Sequence, residues 1–306
     1  MKILHVCAGW EEWNGAANIA RLIMGEQQHE GHEVSFTTWA SIGKLRAADE
    51  VWIHCSWKPC LWWAALWGRN VHWMPECSYD PIRRRYHGWK KTLVGPIERA
   101  CLRRAKALVA TCEAEKGWIQ FYLGKHCPPV IVTDIKRFFK LGNGEQGTGN
   151  TGKTGQTCFP TDRSLHLLYL GRQHPLKGLE FLEEAVRQIS SVPHSPSPVS
   201  PQLKVVSNAF GEELEKVWDW CDVLVLPTLS ENFGLVIAEA LERGKRVITT
   251  DGAPAWGDGN DYGGRLMYLR GYRDGSPEER VHFLKTAIEF ENCNASGGKE
   301  SGCKYE

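Results

Sequence analysis

Short apolar runs alternate with longer amphipathic stretches along most of the chain. In the first half the apolar runs cover residues 2–7, 34–38, 51–55, 71–74, 107–111 and 130–133. Apolar residues at helical spacing predict helices near residues 16–28, 62–67, 96–106 and 113–123. Short apolar runs separated by helices are typical of strands that are buried on both faces of a parallel sheet. This half is therefore predicted to be a Rossmann-like α/β domain.

The same alternation returns in the second half of the chain. Strands are predicted at residues 165–169, 203–206, 223–226 and 247–250, and helices near residues 179–189, 211–220, 233–242 and 281–291. Two successive strand–helix series predict two Rossmann-like domains that face a central cleft.

Two polar segments interrupt the alternation and suggest the domain limits. Residues 141–157 (LGNGEQGTGNTGKTGQT) are rich in Gly and Thr, and residues 190–202 (SSVPHSPSPVSPQ) are rich in Pro and Ser. We predict a first domain at 1–140, a flexible linker at 141–160, a second domain at 161–290 and a loose tail at 291–306. The Gly-rich segment lacks the spacing of a phosphate-binding P-loop.

Composition narrows the class of protein. The formal net charge of the 306 residues is +1, which disfavours a dedicated nucleic-acid binder. No apolar stretch is long enough to span a membrane, and the N-terminus lacks the features of a signal peptide, so we expect a cytoplasmic protein. The 11 cysteines form neither C-x-x-C pairs nor a cluster with histidine. Reduced thiols are therefore expected, rather than a zinc site or a disulfide framework.

The candidate chemistry is concentrated in residues 221–252, a predicted strand–loop–helix–strand unit. Parallel sheets bind ligands beyond the carboxyl ends of their strands, and Glu231 and Glu239 lie on either side of the predicted site. The residues between them begin with Asn232, Phe233, Gly234 and Leu235 at the amino end of the helix, where free amides suit a phosphate. Because carboxylates repel phosphate, we expect the two glutamates to accept hydrogen bonds from sugar hydroxyls. The pattern predicts a sugar-nucleotide site.

A second loop supplies positive charge. Gly171, Arg172 and Lys177 follow the predicted strand at 165–169. Two cations on a loop at the carboxyl end of a strand can neutralise a diphosphate leaving group as the sugar bond breaks. The glycine allows the backbone to approach a ligand closely.

These motifs resemble a known family. The pair Glu231 and Glu239 matches the E-x7-E signature of retaining glycosyltransferases of the family 4 type, which have the GT-B fold. The surrounding S-E-N-F-G-L-V-I-A-E-A-L and V-I-T-T-D-G-A-P-A-W are close to that family's pattern, and residues 171–178 resemble its G-R-x-x-x-x-K-G element. The resemblance is strong over 165–255 and fainter over 1–135.

The resemblance implies that the domain at 1–140 binds the acceptor and that the domain at 161–290 binds the nucleotide sugar. It also implies a role for each donor-site residue. Arg172 and Lys177 would clamp the donor diphosphate, and the backbone of Phe233, Gly234 and Leu235 would hold phosphate. Glu239 would bind the ribose. Glu231 would contact the donor sugar or support positive charge near its anomeric carbon.

The resemblance also points to residues in the first domain. The family has two adjacent glycines near the donor phosphates, where this chain has Gly15 followed by Ala16. In the loop after the strand at 71–74, relatives carry an acceptor-side His or Asp. Asp80 is our first candidate for polarising the acceptor hydroxyl, followed by Glu76 and His72, although Asp before Pro is also a common turn former.

A basic and aromatic region suggests a surface for an anionic membrane or a phosphorylated lipid-linked glycan. Nine Lys and Arg residues and one acid, Glu98, lie between Arg83 and Lys106, and a tryptophan cluster runs from Trp57 to Trp67. Trp and clustered cations favour anionic lipid headgroups. The alternative is that the tryptophans are core residues and the cations a solvated helix face.

The expected function is that of a retaining glycosyltransferase. It would move a sugar from a nucleoside diphosphate sugar to a glycan or lipid-linked acceptor, in bacterial cell-envelope polysaccharide or lipopolysaccharide synthesis. No metal or other cofactor is expected, because Arg172 and Lys177 would replace the metal. A peripheral position at the inner face of the plasma membrane stays open. The alternatives are a related sugar-phosphate or nucleotide-sugar enzyme, or a non-catalytic scaffold of the same fold that binds a membrane or a partner.

Overall fold

A computed structural model describes residues 1–10, 15–86, 88–141, 164–191 and 200–295 of the chain. The chain divides into two units, Met1–Phe138 and Phe139–Glu306. Apart from Leu141, the predicted linker at 141–160 lies outside the described residues. So does most of the segment at 190–202, together with the predicted tail beyond residue 295.

The first unit is built on a parallel sheet with strand order β2-β1-β3-β4-β5-β6. Its strands are β1 (Lys2–Cys7), β2 (Glu33–Thr37), β3 (Glu50–His54), β4 (Val71–Met74), β5 (Ala107–Ala110) and β6 (Val130–Val132). Its helices are α1 (Gly15–His29), α2 (Ile42–Ala47), α3 (Pro59–Trp67), α4 (Pro81–Tyr86), α5 (Gly88–Leu102) and α6 (Glu113–Leu123). The order places the carboxyl ends of β1, β3 and β4 side by side.

The two faces of this sheet differ in chemistry because side chains alternate along each strand. Leu4, Val51, Ile53 and Trp73 are fully buried in the main apolar core, with α3 packed against them. The register places Trp52 beside His5 and His72, and the three rings stack in a row at 5.9 and 4.9 Å between centroids. The second face therefore carries polar rings beneath its helices.

The second unit has its own parallel sheet, with strand order β11-β10-β9-β7-β8. Its strands are β7 (His166–Leu170), β8 (Gln202–Val206), β9 (Val223–Leu226), β10 (Arg246–Thr250) and β11 (Leu266–Leu269). Its helices are α7 (Leu179–Ser190), α8 (Gly211–Trp220), α9 (Leu235–Glu242) and α10 (Pro277–Ala295). The central strand β9 is buried at every position. Because β7 lies next to β9 in this order, the loops that follow these two strands start side by side.

The sequence pattern missed some elements. The short elements α2, α4 and β11 were not predicted, because each is shorter than the window in which periodicity can be recognised. Helix α5 runs from Gly88 to Leu102, whereas the sequence analysis predicted a helix over 96–106; Pro96 lies inside the helix. Helix α10 continues through residues 291–295, which had been assigned to the tail.

Candidate active site

The two charged groups predicted to act on the donor, Lys177 and Glu231, meet at the carboxyl edge of the second sheet. The Lys177 ammonium and the Glu231 carboxylate form an ion pair in which each side chain is 15% exposed. Glu231 lies in the loop between β9 and α9, and Lys177 closes the short 3-10 turn Pro175–Lys177 that precedes α7. Sequence positions 54 residues apart are thus brought into direct contact.

Backbone contacts hold the Lys177 loop against the end of β9. Gly178 has φ +65°, and a Cβ built on it would lie 2.2 Å from the carbonyl oxygen of Pro227. Leu229 N–H and the Thr228 hydroxyl both donate to the Leu176 carbonyl, at 2.8 and 3.1 Å. Only glycine allows the two loops to approach this closely. The position of Lys177 is therefore set by the backbone.

The Glu231 loop is held equally firmly from the side of β10. Glu231 N–H donates to the Gly252 carbonyl at 2.7 Å, and its own carboxylate accepts a bond from Asn232 N–H at 3.1 Å. A Cβ on Gly252 would lie 1.9 Å from the Thr228 carbonyl oxygen. The carboxylate of Glu231 is therefore placed before any ligand arrives.

Helix α9 begins at Leu235, after Gly234 in a left-handed conformation with φ +76°. Phe233 is buried, with its ring 5.1 Å from that of Trp256, and the Trp256 indole donates to the Phe233 carbonyl. The first amides of a helix point out of its amino end, where they can bind an anion. The predicted phosphate position thus rests on a rigid aromatic support.

Glu239 is half-buried on α9. Burial raises the pKa of its carboxyl, while nearby Arg243 opposes the rise. Arg172, in contrast, is exposed in the loop after β7, and its carbonyl accepts a hydrogen bond from the Tyr169 hydroxyl at 2.9 Å. Gly171 is half-buried beside it. The roles given to these residues in the sequence analysis stay predictions.

In the first unit, Gly15 and Asp80 have contrasting surroundings. Gly15 is exposed at the start of α1, and a Cβ there would meet no atom within 4 Å. Asp80 is fully buried at the start of α4, where its carboxylate accepts a hydrogen bond from Ile82 N–H at 2.9 Å. These contacts favour the turn-forming role of Asp80 over contact with an acceptor hydroxyl.

Glu76 is the best placed of the acceptor-side candidates, because it follows the carboxyl end of β4, whereas His72 lies inside that strand. Its buried carboxyl is 3.5 Å from Nδ1 of His54. Nε2 of His54 contacts Nδ1 of His5 at 2.9 Å, and Nε2 of His5 contacts the Gln27 side-chain oxygen at 2.7 Å. The Gln27 oxygen accepts from Nε2 of His5, so a neutral His5 accepts at Nδ1 from Nε2 of His54. Nδ1 of His54 and Oε1 of Glu76 are buried and make no hydrogen bond with each other.

The charges of these groups follow from their burial. Burial raises the pKa of Glu76 well above its usual range, and the nearby Glu115 raises it further. Burial lowers the pKa of His54 to about 3, and burial together with His54 lowers that of His5 to about 3. Both imidazoles are therefore neutral at neutral pH, and burial favours the protonated form of Glu76.

The sequence analysis overlooked Glu115, which shapes the loop that carries Glu76. Glu76 and Cys77 both have left-handed backbones, with φ +55° and +59°. The buried Glu115 carboxylate accepts the Cys77 N–H at 2.6 Å and the Thr111 N–H at 2.7 Å. It ties the loop after β4 to the end of β5. Two donors that share one buried acceptor can compensate the cost of strained backbone.

We expect Glu76→Gln to flatten the pH dependence of stability above about pH 4.5. An unfolded glutamate ionises near that pH, whereas burial and Glu115 raise the pKa of folded Glu76 well above it. The stability that Glu76 contributes is complete below the unfolded pKa and is lost as the pH rises through the folded pKa, by at most about 1.4 kcal/mol per pH unit. Urea unfolding of both proteins at several pH values between about 5 and 8 measures the difference, because the histidine contributions are common to both proteins.

The exposed Glu113→Gln is the matched control and should leave the slope unchanged. Parallel wild-type and Glu76→Gln stability curves would mean that Glu76 ionises normally in the folded protein.

A second buried carboxylate, Glu98 on α5, anchors two neighbouring loops. It accepts hydrogen bonds from Trp57 N–H at 3.2 Å, from the Trp62 indole and from the Tyr79 hydroxyl at 2.6 Å. These donors belong to the segments that follow β3 and β4. The inner face of α5 is thereby fixed to the carboxyl edge of the first sheet.

The tryptophan cluster packs on the interior of the first unit. Trp57, Trp62, Trp63 and Trp67 are partly buried against the main core, and Leu61 between them is fully buried. These contacts favour the alternative that the tryptophans are core residues, while a membrane surface in this region stays a prediction.

Three kinds of feature are absent from the described residues: a membrane-spanning helix, a metal site and a disulfide bond. No helix among them is long and apolar enough to cross a membrane. They contain no group of three or more His, Cys, Asp or Glu side chains that could hold a metal ion. The cysteines in the described ranges are all free thiols.

The comparison with protein-family models concerns the second unit. Residues 164–268, which include β7 to β9, α9 and the Lys177–Glu231 pair, match the family model described as glycosyl transferases group 1. The chain carries a glycosyltransferase domain. No curated protein sequence matches the chain.

Solved structures bear on the whole chain. Sucrose-phosphate synthase from Thermosynechococcus elongatus superposes with a TM-score of 0.63 at 13% identity, over 96% of this chain and 91% of that one. Anabaena HepE in complex with UDP-glucose gives 0.61 at 14% identity, over 97% and 93%. WaaG, a glycosyltransferase involved in lipopolysaccharide biosynthesis, gives 0.58 at 14% identity, over 96% and 94%. Both units together thus have the GT-B fold that the sequence analysis predicted.

Proposed function

We propose that this protein is a retaining glycosyltransferase that moves a sugar from a nucleoside diphosphate sugar to a glycan or lipid-linked acceptor. The observation that carries the proposal is the Lys177–Glu231 ion pair, held by backbone contacts at the carboxyl edge of a parallel sheet and beside the amino end of α9. A cation and a carboxylate at one point suit a substrate with a diphosphate next to a sugar.

In the proposed reaction, the donor diphosphate lies between the Arg172–Lys177 loop and the first amides of α9. Lys177 exchanges the carboxylate of Glu231 for a phosphate oxygen, and the released carboxylate faces the sugar. Glu239 accepts hydrogen bonds from the ribose hydroxyls. The diphosphate gains negative charge as the bond to the anomeric carbon breaks, and Arg172 and Lys177 stabilise that charge.

The acceptor hydroxyl attacks the anomeric carbon from the face that the diphosphate leaves. The bond between the anomeric carbon and the phosphate oxygen breaks, a bond to the acceptor oxygen forms, and the hydroxyl proton moves to the departing phosphate. Glu231 supports the positive charge that develops near the anomeric carbon. No metal takes part in this scheme.

Two similar structures suggest the substrates to try first. HepE has been crystallised with UDP-glucose, and WaaG acts in lipopolysaccharide biosynthesis. We therefore propose a nucleoside diphosphate sugar as donor, and bacterial cell-envelope polysaccharide or lipopolysaccharide as the context. A lipid-linked acceptor would place the enzyme in the cytoplasm, at the inner face of the plasma membrane.

A thermal-shift screen with UDP, GDP, ADP and CMP and their sugars tests the donor site. We expect a rise in melting temperature with one nucleoside diphosphate, since a ligand that binds only the folded state stabilises it. Proton NMR of the product with that donor then reports the anomeric configuration, which should be retained. No shift with any nucleotide would contradict the proposal, and an inverted product would contradict the retaining mechanism.

A further inference from the structure

Helix α5 presents an apolar stripe on its outer side. Trp89, Leu93 and Ile97 are 67%, 69% and 52% exposed, and their spacing of four residues keeps them on one side of the helix. Pro96 and Ala100, also exposed, extend the same side. Large apolar side chains exposed singly are ordinary, but a contiguous stripe marks a binding surface.

The exposed charges that flank this stripe in the sequence are positive. Exposed Arg85 lies on α4 just before α5, and exposed Arg103 and Arg104 follow its end. The single acid between residues 83 and 106 is Glu98, which is fully buried and points into the unit through its bonds to Trp57 and Tyr79. The segment that carries α5 therefore combines exposed apolar side chains with exposed positive charge.

We propose that the outer face of α5 is a docking surface for an anionic lipid bilayer. Apolar side chains between cations match a surface that offers acyl chains beneath a layer of phosphates. The apolar side chains would enter the boundary between headgroups and acyl chains, while the arginines reach the phosphates with their apolar stems along the surface. A protein partner would need a complementary acidic rim, whereas a bilayer supplies negative charge at every point.

The surface differs from the one that sequence alone suggested. Much of the predicted positive charge lies elsewhere: Arg84 and Arg99 stack on the Tyr122 ring at 4.8 and 5.3 Å, and Lys91 lies over the Trp57 ring at 4.8 Å. These cations complete the packing of the first unit. The docking residues are Trp89, Leu93 and Ile97, with the arginines at either end.

This inference deepens the proposed function, because docking would bring the enzyme to a lipid-linked acceptor. Its test does not depend on activity. The full chain is floated with vesicles of phosphatidylcholine alone and with phosphatidylglycerol added, at low and at high salt. We expect binding only when phosphatidylglycerol is present, and weaker binding at high salt.

Three variants make the test specific. Leu93→Glu places an acid in the stripe and should lower the partition coefficient about tenfold or more. Phe36→Glu is the matched control, because Phe36 is 56% exposed on β2, at the edge of the first sheet opposite β5 and β6; its binding should be unchanged. The double variant Arg85→Glu/Arg104→Glu should bind phosphatidylglycerol vesicles at least about fivefold more weakly.

Equal effects of Leu93→Glu and Phe36→Glu, or no binding to phosphatidylglycerol vesicles, would overturn the inference. So would concentration-dependent dimerisation without lipid that Leu93→Glu abolishes, since a second copy would then cover the stripe. The nucleotide-induced rise in melting temperature is measured on the same samples without vesicles. If no nucleotide raises the melting temperature while Leu93→Glu weakens vesicle binding, the proposed reaction fails and the docking surface stands. If a nucleotide raises the melting temperature but the vesicles do not bind, the donor site stands and the docking surface fails.

Discussion

We expect Lys177→Ala to lower kcat/KM about a hundredfold to a thousandfold, which is the usual cost of removing one group that stabilises charge in a transition state. The leaving diphosphate would lose a cation that the backbone has already positioned. Glu231 would also lose its ion-pair partner at a site where only 15% of its side chain is exposed. Its carboxylate would then repel the donor. Steady-state kinetics with the donor found in the nucleotide screen measures the effect.

Lys116→Ala is the matched control for this prediction. Lys116 also pairs with a carboxylate, that of Glu113 at 3.1 Å, but on the surface of α6. Exposed ion pairs contribute little, so kcat/KM and the melting temperature should both stay near wild type. Wild-type kcat/KM for Lys177→Ala in a folded protein would show that the Lys177–Glu231 pair is structural.

We expect Gly252→Ala to destabilise the second unit by about 3 kcal/mol and to abolish donor binding. The added Cβ would lie 1.9 Å from the Thr228 carbonyl oxygen and 2.8 Å from the carbonyl carbon of Leu229. Both contacts are to backbone, which cannot rotate away, so the loop between β9 and α9 must move. That movement would break the bond from Glu231 N–H to the Gly252 carbonyl and displace the carboxylate.

Calorimetry and the nucleotide thermal shift measure the two parts of this effect. For a unit of this size the melting temperature should fall by about 8 °C. Gly117→Ala, in the middle of α6 with no atom within 4 Å of the new Cβ, should instead stabilise by about 0.5–1 kcal/mol. A Gly252→Ala variant with normal melting temperature and normal nucleotide binding would disprove the close approach of the two loops.

The sequence predicted the parts of the fold that have a strong local pattern. Strands β1, β4 and β9 and helices α6 and α8 have the predicted bounds, because each is a clear apolar or amphipathic segment with turn residues on both sides. The two strand–helix series predicted two Rossmann-like domains, and the resemblance to family 4 glycosyltransferases implied the GT-B fold, which the solved structures confirm. Within the candidate site, the loops carrying Lys177 and Glu231 were recognised from their motifs.

The acceptor side could not be derived in the same way. The backbone at Glu76 and Cys77 is left-handed although neither residue is glycine, so no turn signal marks it. Glu115 stabilises this loop from a position 38 residues away in sequence, and helical charge spacing gives no hint that its side chain is buried. Contacts of this kind depend on which strand ends lie side by side, and the strand order is not encoded locally.

The buried Glu98 also bears on how readily the enzyme can be redirected. Because Glu98 fixes the inner side of α5 to the loops after β3 and β4, substitutions on the outer side need not disturb those loops. The exposed residues on the outer side of α5 can then be substituted to suit membranes of different lipid composition, while the geometry near the acceptor stays the same. Affinity for a surface and the geometry near the acceptor are thus separable traits, carried on opposite sides of one helix, and can be altered independently.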